Sequence, residues 1–330
     1  MNQRTLGRIG RKVGEVGLGT WQIGGNWGEV GEADATATLQ AAYDGGVTFF
    51  DTADVYGAGR SEERIARFLD ATPGARERIF VATKLGRGGD PGWPQNFTRQ
   101  AIRQHTEDSL RRLKAEALDL TQLHCVPTEE LSKGDLFGWL DELVTEGKIK
   151  AYGASVESME EALICVADGR CSSLQIIFNI FRPKPIEVLF DRAHAAGVAL
   201  IVRLPLASGL LAGKMTATTT FSEDDHRNFN RDGQAFNVGE TFSGLPFEQG
   251  IAAVERIRPH VPAGMTMAAM ALRWCLDHKA VSVLIPGARN AAQVEGNIAA
   301  SALSPLAPEI HAALAAVYRD HVSAHIRGPY

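Results

Sequence analysis

The sequence predicts an α/β protein of the (β/α)8 TIM-barrel class, with an N-terminal β-hairpin and long βα loops. Short apolar or β-branched runs alternate with longer amphipathic stretches from end to end, and eight of each can be counted. No Pro/Ser-rich linker or internal repeat interrupts them. Length alone would suggest two domains for 330 residues, but a barrel absorbs such a length, so one domain over 1–330 is expected.

The elements follow in chain order. Thr5–Ile9 and Lys12–Glu15 flank Gly10 and Arg11 and read as a hairpin placed to plug the barrel floor. The strand runs are Val16–Leu18, Thr48–Asp51, Ile79–Thr83, Leu118–Leu123, Ile149–Ala154, Ser173–Ile177, Ala199–Val202 and Val281–Ile285. Helical patterns lie at Glu32–Tyr43, Ser61–Leu69, Thr98–Leu113, Leu136–Glu146, Met159–Ala167, Ile186–Ala195, Met267–Asp277 and Ala291–Ala300. Ser61 followed by Glu62 and Glu63 reads as a capping hydroxyl with two acids at the positive end of the dipole. Gly197 stands where the helix ending near Ala196 should stop. Two connections, Gly86–Phe97 and about Ser208–Leu245, exceed ordinary loop lengths and read as lids over a pocket. The second carries Phe221, Phe229, Phe236 and Phe242.

Composition narrows the function. Apolar residues make up 45% and charged residues 22%, enough for a packed core. Lysine and arginine number 34 against 39 acids, a net charge of −5, and no run concentrates like charges, which argues against nucleic-acid binding. The N-terminus lacks the apolar segment of a signal peptide and no 18-residue apolar stretch occurs, so a cytoplasmic protein with no membrane role is expected. Cys125, Cys165, Cys171 and Cys275 form no CxxC pair and read as reduced core thiols. Cys125 in particular should face away from His124, into the helix layer.

Barrels of this class carry their chemistry at the C-terminal ends of the strands, so the residue on which each apolar run stops is informative. The second run ends on Asp51, with Tyr56 five residues later; the third leads to Lys84, and the fourth to His124. The fifth leads to Ser155, the sixth contains Gln175, the seventh reaches Arg203, and the last gives Ile285-Pro-Gly-Ala-Arg289. Taken singly, a lysine after a strand is a common salt-bridge partner, a histidine a common polar group, and Tyr56 a packing aromatic. Neighbouring strands would bring Asp51, Tyr56, Lys84 and His124 to one mouth. There an ammonium would favour the phenolate and lower the tyrosine pKa from about 10. Asp51 would hold that ammonium and His124 would hydrogen-bond a carbonyl oxygen. The set can give one proton to an oxygen that is gaining negative charge, and it needs an external electron source, which points to a nicotinamide cofactor. The spacings of Gly14, Gly17, Gly19, Gly24 and Gly25 do not form the dinucleotide fingerprint of a Rossmann domain. His321 and His325 lack a third metal ligand, so no metal is expected.

These motifs resemble the aldo-keto reductases over nearly the whole chain, from Gly17-Leu-Gly-Thr-Trp21 through Asp51-Thr-Ala-Asp-Val-Tyr56, Lys84 and His124 to Ile285-Pro-Gly-Ala-Arg289. The resemblance implies NADPH-dependent reduction of aldehydes or ketones, with Tyr56 as proton donor, Lys84 and Asp51 as its tuning pair and His124 orienting the carbonyl. It implies cofactor contacts from Gly19, Thr20, Trp21, Asp51, Ser155, Gln175, Arg203, Pro205, Leu206, Ser208, Gly209, Leu211, Lys214, Ile285, Gly287, Ala288, Arg289, Gln293 and Asn297. Ser155 and Gln175 match positions that hold the nicotinamide carboxamide, although Val156 stands where a second polar residue is common. Arg203 replaces the usual aromatic ring and either lies against the nicotinamide or turns toward an anionic substrate group. Arg289, Gln293 and Asn297 match the grip on the adenosine 2′-phosphate, which implies preference for NADPH over NADH. Trp21, Val55 and Trp93 should line an apolar substrate pocket, and Val322–Tyr330 is a candidate cover for its mouth. The partner is then a small carbonyl compound. Two other readings are a Schiff-base aldolase using Lys84 and a cofactor-binding regulatory subunit with little turnover. Neither substrate nor oligomeric state is legible.

Overall fold

Inward and outward side chains alternate along the barrel strands, and this period of two sorts the apolar residues into two cores. The computed structural model describes residues 1–25 and 30–330. Among them, strands β1 (Gln3–Thr5) and β2 (Lys12–Gly14) pair as an antiparallel ribbon. The barrel strands are β3 (Leu18–Gly19), β4 (Phe49–Asp51), β5 (Phe80–Leu85), β6 (Leu120–His124), β7 (Tyr152–Ser155), β8 (Ser173–Ile177), β9 (Ala199–Arg203) and β10 (Val281–Leu284). They are parallel and ordered consecutively from β3 to β10. Parallel bridges from Val16 to Leu284 and from Gly19 to Gly287 close the (β/α)8 barrel.

Phe49, Phe80, Ala82, Leu120, Ala199, Ile201 and Val283 fill the lower interior. Leu6 and Val13 of the hairpin join them from below, so the hairpin plugs the floor as expected. Its turn is longer than the sequence suggested: Gly7–Ile9 form a 3-10 turn, and the paired residues are Gln3–Thr5 rather than Thr5–Ile9. The seating is tight. A Cβ on Gly7 would lie 2.3 Å from the Gly197 carbonyl oxygen, so only glycine fits. Arg4 pairs with Glu15 at 2.8 Å and donates to the carbonyls of Leu276, His278 and Val281.

The outer core lies between strands and helices and draws on Phe50, Leu123, Ala154, Leu174, Leu200 and Leu284. Most helices fall where the periodicity put them, including Glu32–Asp44, Arg99–Leu113, Met159–Asp168, Met267–Leu276 and Ala291–Ala299. Ser158 and Glu161 form a capping box on Met159–Asp168. Three readings are corrected. The helix after β4 begins at Arg60 on a left-handed Gly59, and Ser61 is a buried side chain rather than a cap. The stretch Ile186–Ala195 is two short helices, Pro185–Val188 and Phe190–Ala195. The C-terminal segment does not cover the pocket. Arg182 donates to the carbonyls of Ser243 and Pro329, Arg327 donates to the Gly244 carbonyl and pairs with Asp232, and no residue of the tail lines the cavity, so the tail is tied to the 208–245 loop instead. Phe247–Ile257 and Pro308–His321 are additional helices. No described helix is long and apolar enough to cross a membrane.

Candidate active site

The inward positions that are apolar at the bottom of the barrel become polar at the top. Above Phe49 stands Asp51, above Phe80 and Ala82 stands Lys84, above Leu120 stands His124, and above Ala199 and Ile201 stands Arg203. Register keeps them level, with Lys84 opposite Gln122, His124 opposite Ser155, and Ser155 opposite Gln175. Of these, Asp51, His124, Gln175 and Arg203 line a cavity of about 1030 Å³.

Lys84 donates to Asp51 Oδ2 at 2.6 Å, to the Thr52 carbonyl at 2.8 Å and to Tyr56 Oη at 3.2 Å. From the opposite side of the barrel, Gln175 donates to Asp51 Oδ1 at 2.7 Å. The phenol is placed by the turn after β4: Tyr56 N bonds the Ala53 carbonyl, and a Cβ on Gly24 would come within 2.8 Å of the Tyr56 backbone. Trp21 stacks on the Tyr56 ring with centroids 5.9 Å apart, and the His124 ring meets it edge-on at 6.1 Å. Below this group, the Ser61 hydroxyl lies 2.7 Å from Thr20 Oγ1 and 2.9 Å from Thr52 Oγ1, which pins the segment that offers its carbonyl to Lys84.

Burial would neutralise Lys84, but Asp51 and Tyr56 together, through charge and hydrogen bonds, outweigh it and hold the ammonium above its ordinary range. That disfavours Lys84 as an amine nucleophile, which needs its lone pair. Burial raises the Tyr56 phenol, and Lys84 only partly opposes it. The expected acidic phenol is thereby corrected: the ring keeps its proton at neutral pH. Burial and the cations of Arg87, Lys84 and Arg203 push His124 well below the ordinary imidazole range, so it is neutral. Its Nδ1 is buried without a hydrogen-bond partner.

Most cofactor candidates line the same cavity: Gly19, Thr20, Trp21, Asp51, Gln175, Arg203, Pro205, Leu206, Ser208, Gly209, Lys214, Ile285, Gly287, Arg289, Gln293 and Asn297. So do Val55 and Trp93. Ser155 sits just beneath, with a buried Oγ that has no partner. Leu211 and Ala288 are corrected, because both are packed into the outer core and do not line the cavity. Arg289 is exposed at the mouth, before the helix Ala291–Ala299 that Asn290 caps. Gln293 accepts from Arg289 N–H and Asn297 donates to the Gly287 carbonyl, so these two side chains also brace the loop.

Three wall residues, Arg87, Glu157 and Glu240, escaped the sequence reading, and a fourth, Cys125, was placed in the helix layer. Arg87 follows β5, Cys125 follows β6, Glu157 follows β7, and Glu240 comes from the 208–245 loop; all line the cavity. Arg87 Nη1 lies 2.9 Å and Arg203 Nη1 3.4 Å from the same Glu240 oxygen. The expectation for Cys125 is overturned: its backbone is left-handed (φ 57°), which breaks strand alternation and turns the thiol to the cavity, 3.8 Å from Glu240. Burial raises Glu240, but the two guanidiniums prevail and hold it at about 2. Burial and the Glu240 charge push Glu157 up to about 7. Arg87, Cys125 and Glu157 each lie one or two residues past a strand end, the signal that could have been read; Glu240 has none.

Comparison with known proteins agrees with this architecture. The chain is 31% identical to the aldo-keto reductase YhdN of Bacillus subtilis over 307 residues, covering 89% of this chain and 87% of that protein. It is 28% identical to a probable voltage-gated potassium channel subunit beta of Arabidopsis thaliana, over 93% of each chain. The solved glycerol dehydrogenase of Gluconobacter oxydans superposes with a TM-score of 0.79 at 30% identity, covering 99% of this chain and 98% of that one. Residues 15–319 match the model of the aldo/keto reductase family, and the chain belongs to that family.

Proposed function

We propose that the protein is an NADPH-dependent reductase of aldehydes or ketones, with Tyr56 as proton donor. The observation that carries this is the contact of one buried ammonium, Lys84, with both Asp51 and the Tyr56 hydroxyl at the wall of the large cavity. A phenol that keeps its proton at neutral pH is a suitable acid, provided its anion is stabilised as it forms. Lys84 supplies that stabilisation at 3.2 Å, in a setting where charge is poorly screened. Neutral His124 donates to the carbonyl oxygen and fixes it against Tyr56, and Asp51 with Gln175 keeps Lys84 charged and aimed.

The residues present fit a bound nicotinamide dinucleotide. Ser155 offers a buried hydroxyl that lacks a partner, and Arg289 stands beside a helix N-terminus at the other end of the cavity, where a phosphate is favoured. When bound, NADPH supplies the hydride. Trp21, Val55 and Trp93 form an apolar opening for the substrate.

The test follows NADPH absorbance with a panel of aldehydes. Turnover that vanishes in Tyr56→Phe, while cofactor fluorescence still titrates, is the expected result. Cofactor binding with negligible turnover across the panel favours a regulatory role, the reading that the Arabidopsis relative's name supports.

A further inference from the structure

We infer that the cavity wall built by Arg87, Arg203, Glu157 and Glu240 is a subsite for a carboxylate carried by the carbonyl substrate, with Glu157 taking up a solvent proton as the anion binds. The inference rests on the reductase reading above and names the substrate class for that site.

The geometry is unusual in its sharing. Two guanidiniums converge on one Glu240 oxygen, at 2.9 and 3.4 Å. A second carboxyl, Glu157, lies with Glu240 and the Cys125 thiol in a group whose polar atoms are all within 4.8 Å of one another. Two carboxylates so close repel, and the one less well served by cations is the one that gives way. Glu240 has both guanidiniums and stays ionised; Glu157 titrates at about 7.

The charges facing Glu157 come from every element around it. Glu240 comes from the 208–245 loop, Arg203 from β9 and Arg87 from the loop after β5, with Arg182 adding a weaker positive field. Cys125 beside it is an uncharged thiol, because burial raises it. His124 is neutral, and Lys84 is balanced by Asp51. With Glu157 protonated, this wall holds two guanidiniums against one carboxylate; with Glu157 ionised, it is balanced. An excess cation in a water-poor wall favours an anion. Arg203 lines the cavity and keeps one buried donor, Nε, without a hydrogen-bond partner, so its guanidinium is not fully satisfied by Glu240. The same count disfavours a metal ion among Cys125, Glu157 and Glu240, because the guanidiniums already occupy their Coulomb field. Trp21, Trp93 and Phe236 line the cavity and suit an apolar or aromatic spacer between the carboxylate and the carbonyl.

The experiment compares kcat/KM for para-carboxybenzaldehyde and its uncharged analogue methyl para-formylbenzoate, with NADPH and the full-length protein. Because protonated Glu157 leaves the excess cation, preference for the acid should be about tenfold or more near pH 6 and should fall toward parity near pH 8.5. In Glu157→Gln the preference should persist at the alkaline end; in Arg87→Gln it should fall below about threefold at every pH. A measurement that needs no variant is inhibition of ester reduction by benzoate, which should tighten as pH falls, with benzamide inert. Ester turnover without acid preference at any pH, or a preference that Glu157→Gln leaves unchanged in its pH dependence, overturns the subsite and leaves the reductase standing. No turnover of either aldehyde by folded protein that binds NADPH overturns both.

Discussion

The two ends of the barrel interior are made by the same strands and obey opposite rules. At the bottom, Phe49, Phe80, Leu120 and Val283 meet Leu6 and Val13 in an apolar layer that excludes polar groups. Two or four residues further along those strands, Asp51, Lys84, Gln122 and His124 are as thoroughly buried but ionisable or polar. Dispersion and the hydrophobic effect maintain the lower layer. In the upper layer each charge must be matched by a partner, since an unpaired buried ion costs several kcal/mol. The lower end therefore governs stability, and the upper end exchanges some stability for chemistry.

Substitutions can break or sharpen this contrast. Lys84→Met removes one partner of the buried pair. It should reduce turnover by about 10²–10⁴-fold, as loss of general acid–base function does. It should also lower unfolding free energy by about 3–5 kcal/mol, because Asp51 is left uncompensated. Steady-state rates and urea melts read the two effects separately, and undiminished turnover would count against the proton-donor assignment. Phe49→Ala belongs to the other end: a loss of about 3–5 kcal/mol is expected in the melt, with turnover per folded molecule near that of the parent. Arg289→Ala should weaken NADPH by about 10–100-fold, the range for a charge-assisted contact, and NADH much less. Equal losses in fluorescence titrations would refute the 2′-phosphate contact. Ser61→Ala is the smallest, about 1 kcal/mol, and tests whether the Thr20–Ser61–Thr52 hydroxyl group supports the upper layer.

What could be read from the sequence follows the same division. Strand alternation is a property of local pattern, so runs that stop on Asp51, Lys84 and His124 announced both the barrel and its polar rim. Cys125 was misread because a left-handed residue immediately after β6 ends the alternation, and backbone handedness at a non-glycine leaves no mark in the pattern. Ser61 was misread because its hydroxyl is bonded to Thr20, 41 positions away, while a left-handed Gly59 starts the helix. Glu240 gave no signal at all. It lies in an aperiodic loop and acquires its meaning only from Arg87, 153 residues earlier, and from Arg203.

The plug beneath the barrel has a consequence for how the chain reaches this shape. Asn2 N–H bonds the Ser301 hydroxyl across 299 positions, and Arg4 holds carbonyls near residues 276–281. The ribbon itself pairs locally, but its contacts with residues 276–301 cannot form until most of the intervening chain has been made. Folding is then completed late and by long-range closure, a topology that slows the search and keeps apolar surface exposed in the meantime.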